Sequence, residues 1–488
     1  MAARDNSEGG VWRLVGTGLS YNAHWLAVGA AVLLGTALRI HHLAYESLWT
    51  DEIFSLLTTD PALPLREFWY RVIADTHPPL YYLALRWWSA AFGQSEAAAR
   101  APSALFGCLT IWAAVMSIGP ALPRPSRLAL ALLYAVSPGA IWYAQEARSY
   151  SLLLLFAAVL TGWGVRFIRN AGAGGRSTQR AMRVLVAAAL LASFTHYFGF
   201  LFSVAIFSAC LAFTRRDRER GMLSALGALI VIGCFVPWMA YHALFMDAER
   251  VEWVRTFPLG DSASWFGGIA FGGTPALAAF AIAAGMLIIK LGWREVGSLP
   301  VTSSCLLICG VTILMSFVTS LHTPVLTGRN LIVLLPAIYL VAAELASALA
   351  FAWGRLAGFT YLAVQLALIA QPSFAHFGDH TKEQWRESAQ FVLHTPGCTA
   401  GTISVYGEAQ YYLFYTGKLR PHLQLREIPE GGTADLGHEP ISSCPILLWI
   451  VGIPEWDLDG LFATVGLDRS EIEITGWYEA YVVLAKKS

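Results

Sequence analysis

Between Ala23 and Gln371 the chain repeats apolar runs of about 18 residues or more, each long enough to cross about 30 Å of hydrocarbon as a helix. That repetition dictates an all-α polytopic membrane protein. The rest of the composition agrees: 14% of the 488 residues are charged, where a soluble chain would carry roughly 25%. Net charge is zero, and no basic tail or stripe points to nucleic acid. The first 22 residues are polar and lack a small-residue cleavage site before the first run, which reads as a signal-anchor.

Eleven spans are expected, at about 23–41, 98–118, 127–143, 150–167, 184–196, 197–214, 222–241, 270–289, 299–320, 331–350 and 355–371. Alternate connections are rich in arginine, with Arg124 and Arg127, then Arg166 to Arg183, Arg215 to Arg220, Lys290 to Arg294, and Arg355. They hold fourteen Lys and Arg, against four (Arg148, Arg250, Arg255 and Arg329) in the opposite short loops. The positive-inside rule then predicts a cytoplasmic N-terminus and an external opposite face, in a plasma (inner) membrane. Residues 79–93 are apolar but short, contain Arg86 and are rich in Trp and Tyr, so they are expected to form a juxtamembrane helix. Trp69, Tyr70, Trp87 and Trp88 would form an interfacial belt. The spans read as nearly free of charge, with Glu344 the main exception.

Past Gln371 the pattern changes. Residues 382–393 have helical period, Thr402–Tyr406 and Cys444–Val451 read as buried strands, and Glu471–Lys486 as a hairpin. The expected organisation is a transmembrane catalytic domain over 1–371, with an external loop at 42–97, and a small external α/β domain over 372–488. Cys398 and Cys444 both fall in that tail, each a few residues before a strand, and form a candidate disulfide on an oxidising side. No Cys/His spacing resembles a zinc site.

With this topology the polar residues segregate to one face. Asp51 and Glu52 follow the first span, and carboxylates at a membrane edge are expensive unless they act. Asp75-Thr76-His77-Pro78-Pro79 comes next, and Glu146 and Arg148 lie between the third and fourth spans. Carboxylate with guanidinium at a lipid-accessible face suits one chemistry: a lipid-borne phosphate leaves while a hydroxyl attacks. The carboxylate is the general base, and arginine holds phosphate through a bidentate contact. Bland readings stand beside these: a helix-entry cap for His77, a structural ion pair for Glu146 and Arg148, an interfacial anchor for Arg329, and satisfied interface histidines for His196, His242 and His322. Asp51, Glu52 and Glu146 also have the oxygen ligands a divalent cation takes, although nothing in the sequence requires a cofactor.

The tracts Leu48-Trp-Thr-Asp-Glu52, His77-Pro-Pro-Leu80, Arg100-Ala-Pro-Ser-Ala-Leu-Phe-Gly107 and Tyr143-Ala-Gln-Glu-Ala-Arg148 resemble those of the GT-C glycosyltransferases. Within that group they are similar to the protein O-mannosyltransferases and lipid A aminoarabinose transferases, as are Gly328-Arg329-Asn330 and Lys382-Glu-Gln-Trp385-Arg386. The resemblance implies an inverting transferase that takes a sugar from a polyprenyl monophosphate, on the external face, to a lipid, glycan or protein acceptor. It implies Asp51 as base with Glu52 beside it, and Arg148, Glu146, His77 and Arg329 supporting the donor phosphate. Aminoarabinose transferases have a lysine near the proline block, whereas this chain has none before Lys290; Arg66 or Arg71 is the expected replacement. The rival readings are a flippase or transporter for lipid-linked sugars, an accessory subunit with a degenerate fold, and an oligosaccharide ligase or polymerase of similar fold.

Overall fold

The computed structural model describes residues 20–169, 175–245, 259–292, 295, 299–322, 325–375, 377–378, 380–398, 401–417, 423–434, 436 and 444–486. Arg250, Arg255 and Arg294, counted above in the loops, lie outside the described residues. The chain divides into two compact units: one of 1–41, 59–91 and 100–377, the other of 42–58, 92–99 and 378–488. The boundary near the tail therefore falls at 377, because the last long helix, Arg355–Ala375, runs on through Pro372. Residues 42–97 are not one loop: the pieces 42–58 and 92–99 belong with the tail.

In the first unit every expected span is helical, the one at 127–143 as a bent pair. Among the described residues nine are long and apolar enough to cross a membrane, or ten if one bent pair is a single span. The eleventh, Arg176–Thr195, falls short because it opens on Arg176, Arg180 and Arg183. Residues Leu80–Phe92 form a helix of 13 residues, about 20 Å long and too short to cross. Outer faces carry exposed Leu26, Ile289, Leu356 and Phe359, as lipid contact demands. Inside, helices meet through small residues, which replace the hydrophobic drive that lipid removes. A Cβ on Gly162 would stand 2.0 Å from Ser117 Oγ, so the helix Tyr150–Arg169 approaches Glu96–Ile118 as closely as it does only with glycine there.

The expected span at 127–143 is broken. Arg124–Ala135 and Pro138–Gln145 meet at a 55° bend. Pro138 brings no N–H to continue the ladder, and Ser137 caps the new helix by accepting from Ala140 N at 3.3 Å. A bend exposes carbonyls that lipid cannot satisfy. Arg39, fully buried in the first span, donates to Tyr134 O at 2.8 Å and Ala135 O at 3.2 Å, and Ser373 donates to Val136 O at 2.8 Å. Gln145 returns the service by donating to the carbonyls of Leu38, Arg39 and His41 at the end of the first span. Arg39 is thus a charge inside the spans besides Glu344, and its role is to join helices.

The second unit is built on a five-stranded sheet of order β2-β1-β3-β5-β4. β1 (Gly401–Tyr406) is parallel to β2 (Leu423–Ile428) and to β3 (Ile446–Val451). β4 (Ile472–Trp477) and β5 (Ala480–Ala485) form the expected hairpin, whose second strand pairs antiparallel with β3. Leu448, Ile450, Phe462, Val465 and Val483 fill its core. Cys398 and Cys444 are bonded. The helix expected from Lys382 starts only at Trp385, because Gln384 takes a non-helical φ of −86° and ψ of 64°.

Candidate active site

Two polar clusters stand out, one in each unit. In the second unit Asp51 and Glu52 occupy the first turn of the helix Thr50–Thr58, where the helix dipole favours acid. The two acids differ in surroundings. Glu52 is fully buried; its Oε2 accepts from Trp49 N at 3.3 Å and lies 3.7 Å from Lys382 Nζ. Asp51 is half-buried, open enough to meet a substrate. Glu383 closes the helix start: its Oε2 accepts from Thr50 N at 2.9 Å, from the Thr50 hydroxyl, and from the Trp385 indole at 2.6 Å. Burial pushes the Glu383 carboxyl above its ordinary value; those hydrogen bonds oppose the push and the Asp51 charge adds to it. Arg386 forks onto the carbonyls of Ala44 at 3.2 Å and Tyr45 at 2.7 Å and pairs with Glu96 at 3.2 Å. The tract Lys382 to Arg386 is therefore a clamp on residues 44–52.

In the first unit the cluster centres on Asp75, which ends the helix Leu65–Ala74 and is buried. Its Oδ2 accepts from the Tyr82 hydroxyl at 2.6 Å, from His77 N at 3.1 Å, and from His77 Nδ1 at 3.3 Å. Burial alone would raise the carboxyl, but His77, the Arg148 charge and Tyr82 together hold it well below the usual carboxylate range. With Nδ1–H facing Asp75, His77 presents Nε2 as an acceptor to Arg148 Nη2 at 3.5 Å. Burial lowers the His77 pKa, and the charges of Arg148 and Arg329 lower it further against the pull of Asp75. His242 bonds the Asp75 carbonyl through Nε2 and Tyr197 OH through Nδ1, the latter at 2.6 Å. His196 caps the helix Tyr197–Thr214, accepting from Phe198 N at 3.1 Å, with its ring 5.2 Å from that of His77. Glu146 accepts from the Trp142 indole at 2.7 Å.

This cluster sits at one end of the first unit. Tyr150, stacked near His196 at 5.6 Å, opens the helix Tyr150–Arg169. At its far end, about 30 Å away by helix rise, Arg166 donates to Ser117 O at 3.3 Å and Arg220 to Phe167 O at 2.8 Å. Arg166 and Arg220 therefore lie at the opposite end of the bundle from the His77 cluster.

The structure brings His77, Arg148 and the charge of Arg329 together. Arg71 pairs with Glu67 at 2.9 Å along its own helix, with a third of its side chain exposed, and Arg66 is exposed. Among the described residues no three His, Cys, Asp or Glu side chains are gathered for a metal ion. Asp75 and Lys382 escaped the sequence reading as site residues. Asp75 had a local signal, a carboxylate two residues before His77 in the pattern of a side-chain-capped turn. Lys382 opened a tract that carries the resemblance, but nothing local tied it to Glu52, because the two are 330 residues apart.

Residues 76–241 match the sequence model of the dolichyl-phosphate-mannose-protein mannosyltransferase family. The fold is similar to that of ArnT from Cupriavidus metallidurans bound to undecaprenyl phosphate, with a TM-score of 0.53, 14% identity, and 96% and 98% of the two chains covered. The apo Archaeoglobus fulgidus oligosaccharyltransferase is similar too, at a TM-score of 0.53 and 11% identity over 92% of this chain and 69% of the other. The chain shares the fold of these two proteins, and the family match covers about a third of its length. No curated protein matches the sequence itself. The family match spans His77 and Arg148; Asp51 and the clamp lie outside it.

Proposed function

We propose that the protein transfers a single sugar from a polyprenyl monophosphate to a lipid, glycan or protein acceptor of the cell envelope, on the external face of the plasma membrane. The observation that carries this reading is the cluster at His77. Two guanidinium charges, Arg148 and Arg329, act on one largely buried imidazole whose other face is held by Asp75. A phosphate monoester anion needs such cations, fixed in advance and shielded from water. The presence of undecaprenyl phosphate in the ArnT structure supports a lipid phosphate as the ligand.

In the reaction, the Asp51 carboxylate accepts the proton of the acceptor hydroxyl. That oxygen bonds to the anomeric carbon from the face opposite the phosphate. The anomeric C–O bond breaks, its electron pair leaves on the polyprenyl phosphate, and the arginines stabilise the leaving anion. One displacement inverts the anomeric configuration. Arg166 and Arg220 at the other end of the bundle support an external location for the cluster.

Mass spectrometry of envelope lipids and polysaccharides, with and without the protein, should show the loss of one glycosyl mass. The purified protein should use a polyprenyl monophosphate sugar and not the diphosphate. Unchanged glycans together with turnover of a diphosphate donor would overturn the reading in favour of a ligase.

A further inference from the structure

The helix that carries Asp51 is only 9 residues long and would be marginal by itself. Its first turn is anchored by the tail. Glu383 receives the Thr50 N–H, and Lys382 stands at Glu52, which has no exposure to solvent. The ion pair offsets the cost of burying the Glu52 carboxylate, so Lys382 helps to fix the place of Glu52.

The clamp also packs against the sheet. Parallel α/β sheets bind ligands in the crevice beyond the carboxyl ends of their strands. Here Gly452, with φ +83°, follows β3 at that edge, and a Cβ there would lie 3.6 Å from Glu383 Oε1. Trp385 packs on Tyr412 at 4.8 Å, and Tyr412 on Trp449 of β3 at 4.7 Å. The chain's own clamp fills the position where such a sheet would hold a ligand, and an aromatic stack ties that clamp to the central strand.

We infer that Lys382 is a positioning residue for transfer: acting through Glu52, it sets the first turn on which Asp51 is presented, so the C-terminal domain is part of the catalytic machinery. This rests on the reading of Asp51 as base. A displacement of about 1 Å at a reacting group can cost on the order of 100-fold in rate. Lys382→Met should therefore lower kcat by roughly 10- to 100-fold while donor KM stays nearly constant. Lys382→Arg should recover most of the rate. Lys382→Met combined with Glu52→Gln removes both charges and should be no slower than the slower single variant.

Melting temperatures and intactness of the Cys398–Cys444 bond are measured alongside. Should Lys382→Met not fold, the paired variant and Lys382→Arg carry the comparison, since the first removes the ion pair whole and the second keeps its charge. Wild-type kcat in Lys382→Met, or losses that multiply in the paired variant, would overturn the inference. Asp51→Asn separates the two layers. A full rate in Asp51→Asn removes the base and this inference with it, whereas an inactive Asp51→Asn beside an indifferent Lys382→Met removes only the inference.

Discussion

Arg148 Nη2 lies 3.5 Å from His77 Nε2, on the ring face opposite the one that donates to Asp75. Neutral His77 can accept from Arg148 there, so the guanidinium is oriented by a base that is itself oriented by a buried carboxylate. Arg148→Ala should raise donor KM or lower kcat. Arg148→Lys should recover only part of the loss, because a point charge does not reproduce a planar fork. Steady-state kinetics with varied donor checks this; full recovery by lysine would show that charge alone matters.

Asp51→Asn should lower transfer by about 10²- to 10⁴-fold, the usual contribution of a general base. Folding should survive, since Asp51 is half-buried on a helix whose cap is Glu383. A purified assay retaining more than about a tenth of the rate would be incompatible with a base of that weight.

Stability should fall as the solution is acidified from about pH 7 to pH 5, and His77 should be a named cause. Burial and the Arg148 and Arg329 charges hold its folded pKa below the ordinary value of about 6.5. The unfolded chain binds a proton that the folded chain refuses, so its contribution is complete above about 6.5 and is lost toward the lowered pKa. Asp75 works in another window: its depressed carboxyl contributes above about 3.9 and is lost only below that. Melting in detergent across this range, compared with His77→Gln, reads the effect; an equal slope in both proteins would refute it.

The Cys398–Cys444 bond closes a loop with a sequence separation of 46. In the chain-entropy model it contributes on the order of 4 kcal/mol. Cys398→Ser should lower the melting point of the C-terminal unit and leave the helical unit unaffected. Thiol labelling on intact cells should reach this pair only after reductant. Labelling solely from the cytoplasmic side would reverse the topology and the external site with it.

The hairpin, the two inner strands and the disulfide pair were all legible in the sequence. Each depends on alternation, turn residues or the scarcity of cysteine in the tail. The helix start was misplaced by three residues, because Lys382 and Glu383 are good helix formers by composition but are drawn off by Glu52 and Thr50. Half of the His77 cluster could be read as well, since histidine, arginine and proline tracts at one membrane face are costly without a purpose. Arg71 could not be told from Arg148 by position alone. Only the fold shows one paired along its own helix with Glu67 and the other against His77.

Hydropathy by itself determined the spans and their number to within one or two, because crossing lipid is a requirement each segment meets alone. Partner choice is different in kind. That Arg39 serves the carbonyls of a bend nearly a hundred residues away, that Asp75 organises His77 and Tyr82, and that Lys382 reaches Glu52 were decided by the tertiary structure. A buried charge takes whichever counter-group the packed chain brings within a few ångströms, and no local pattern records which one that is.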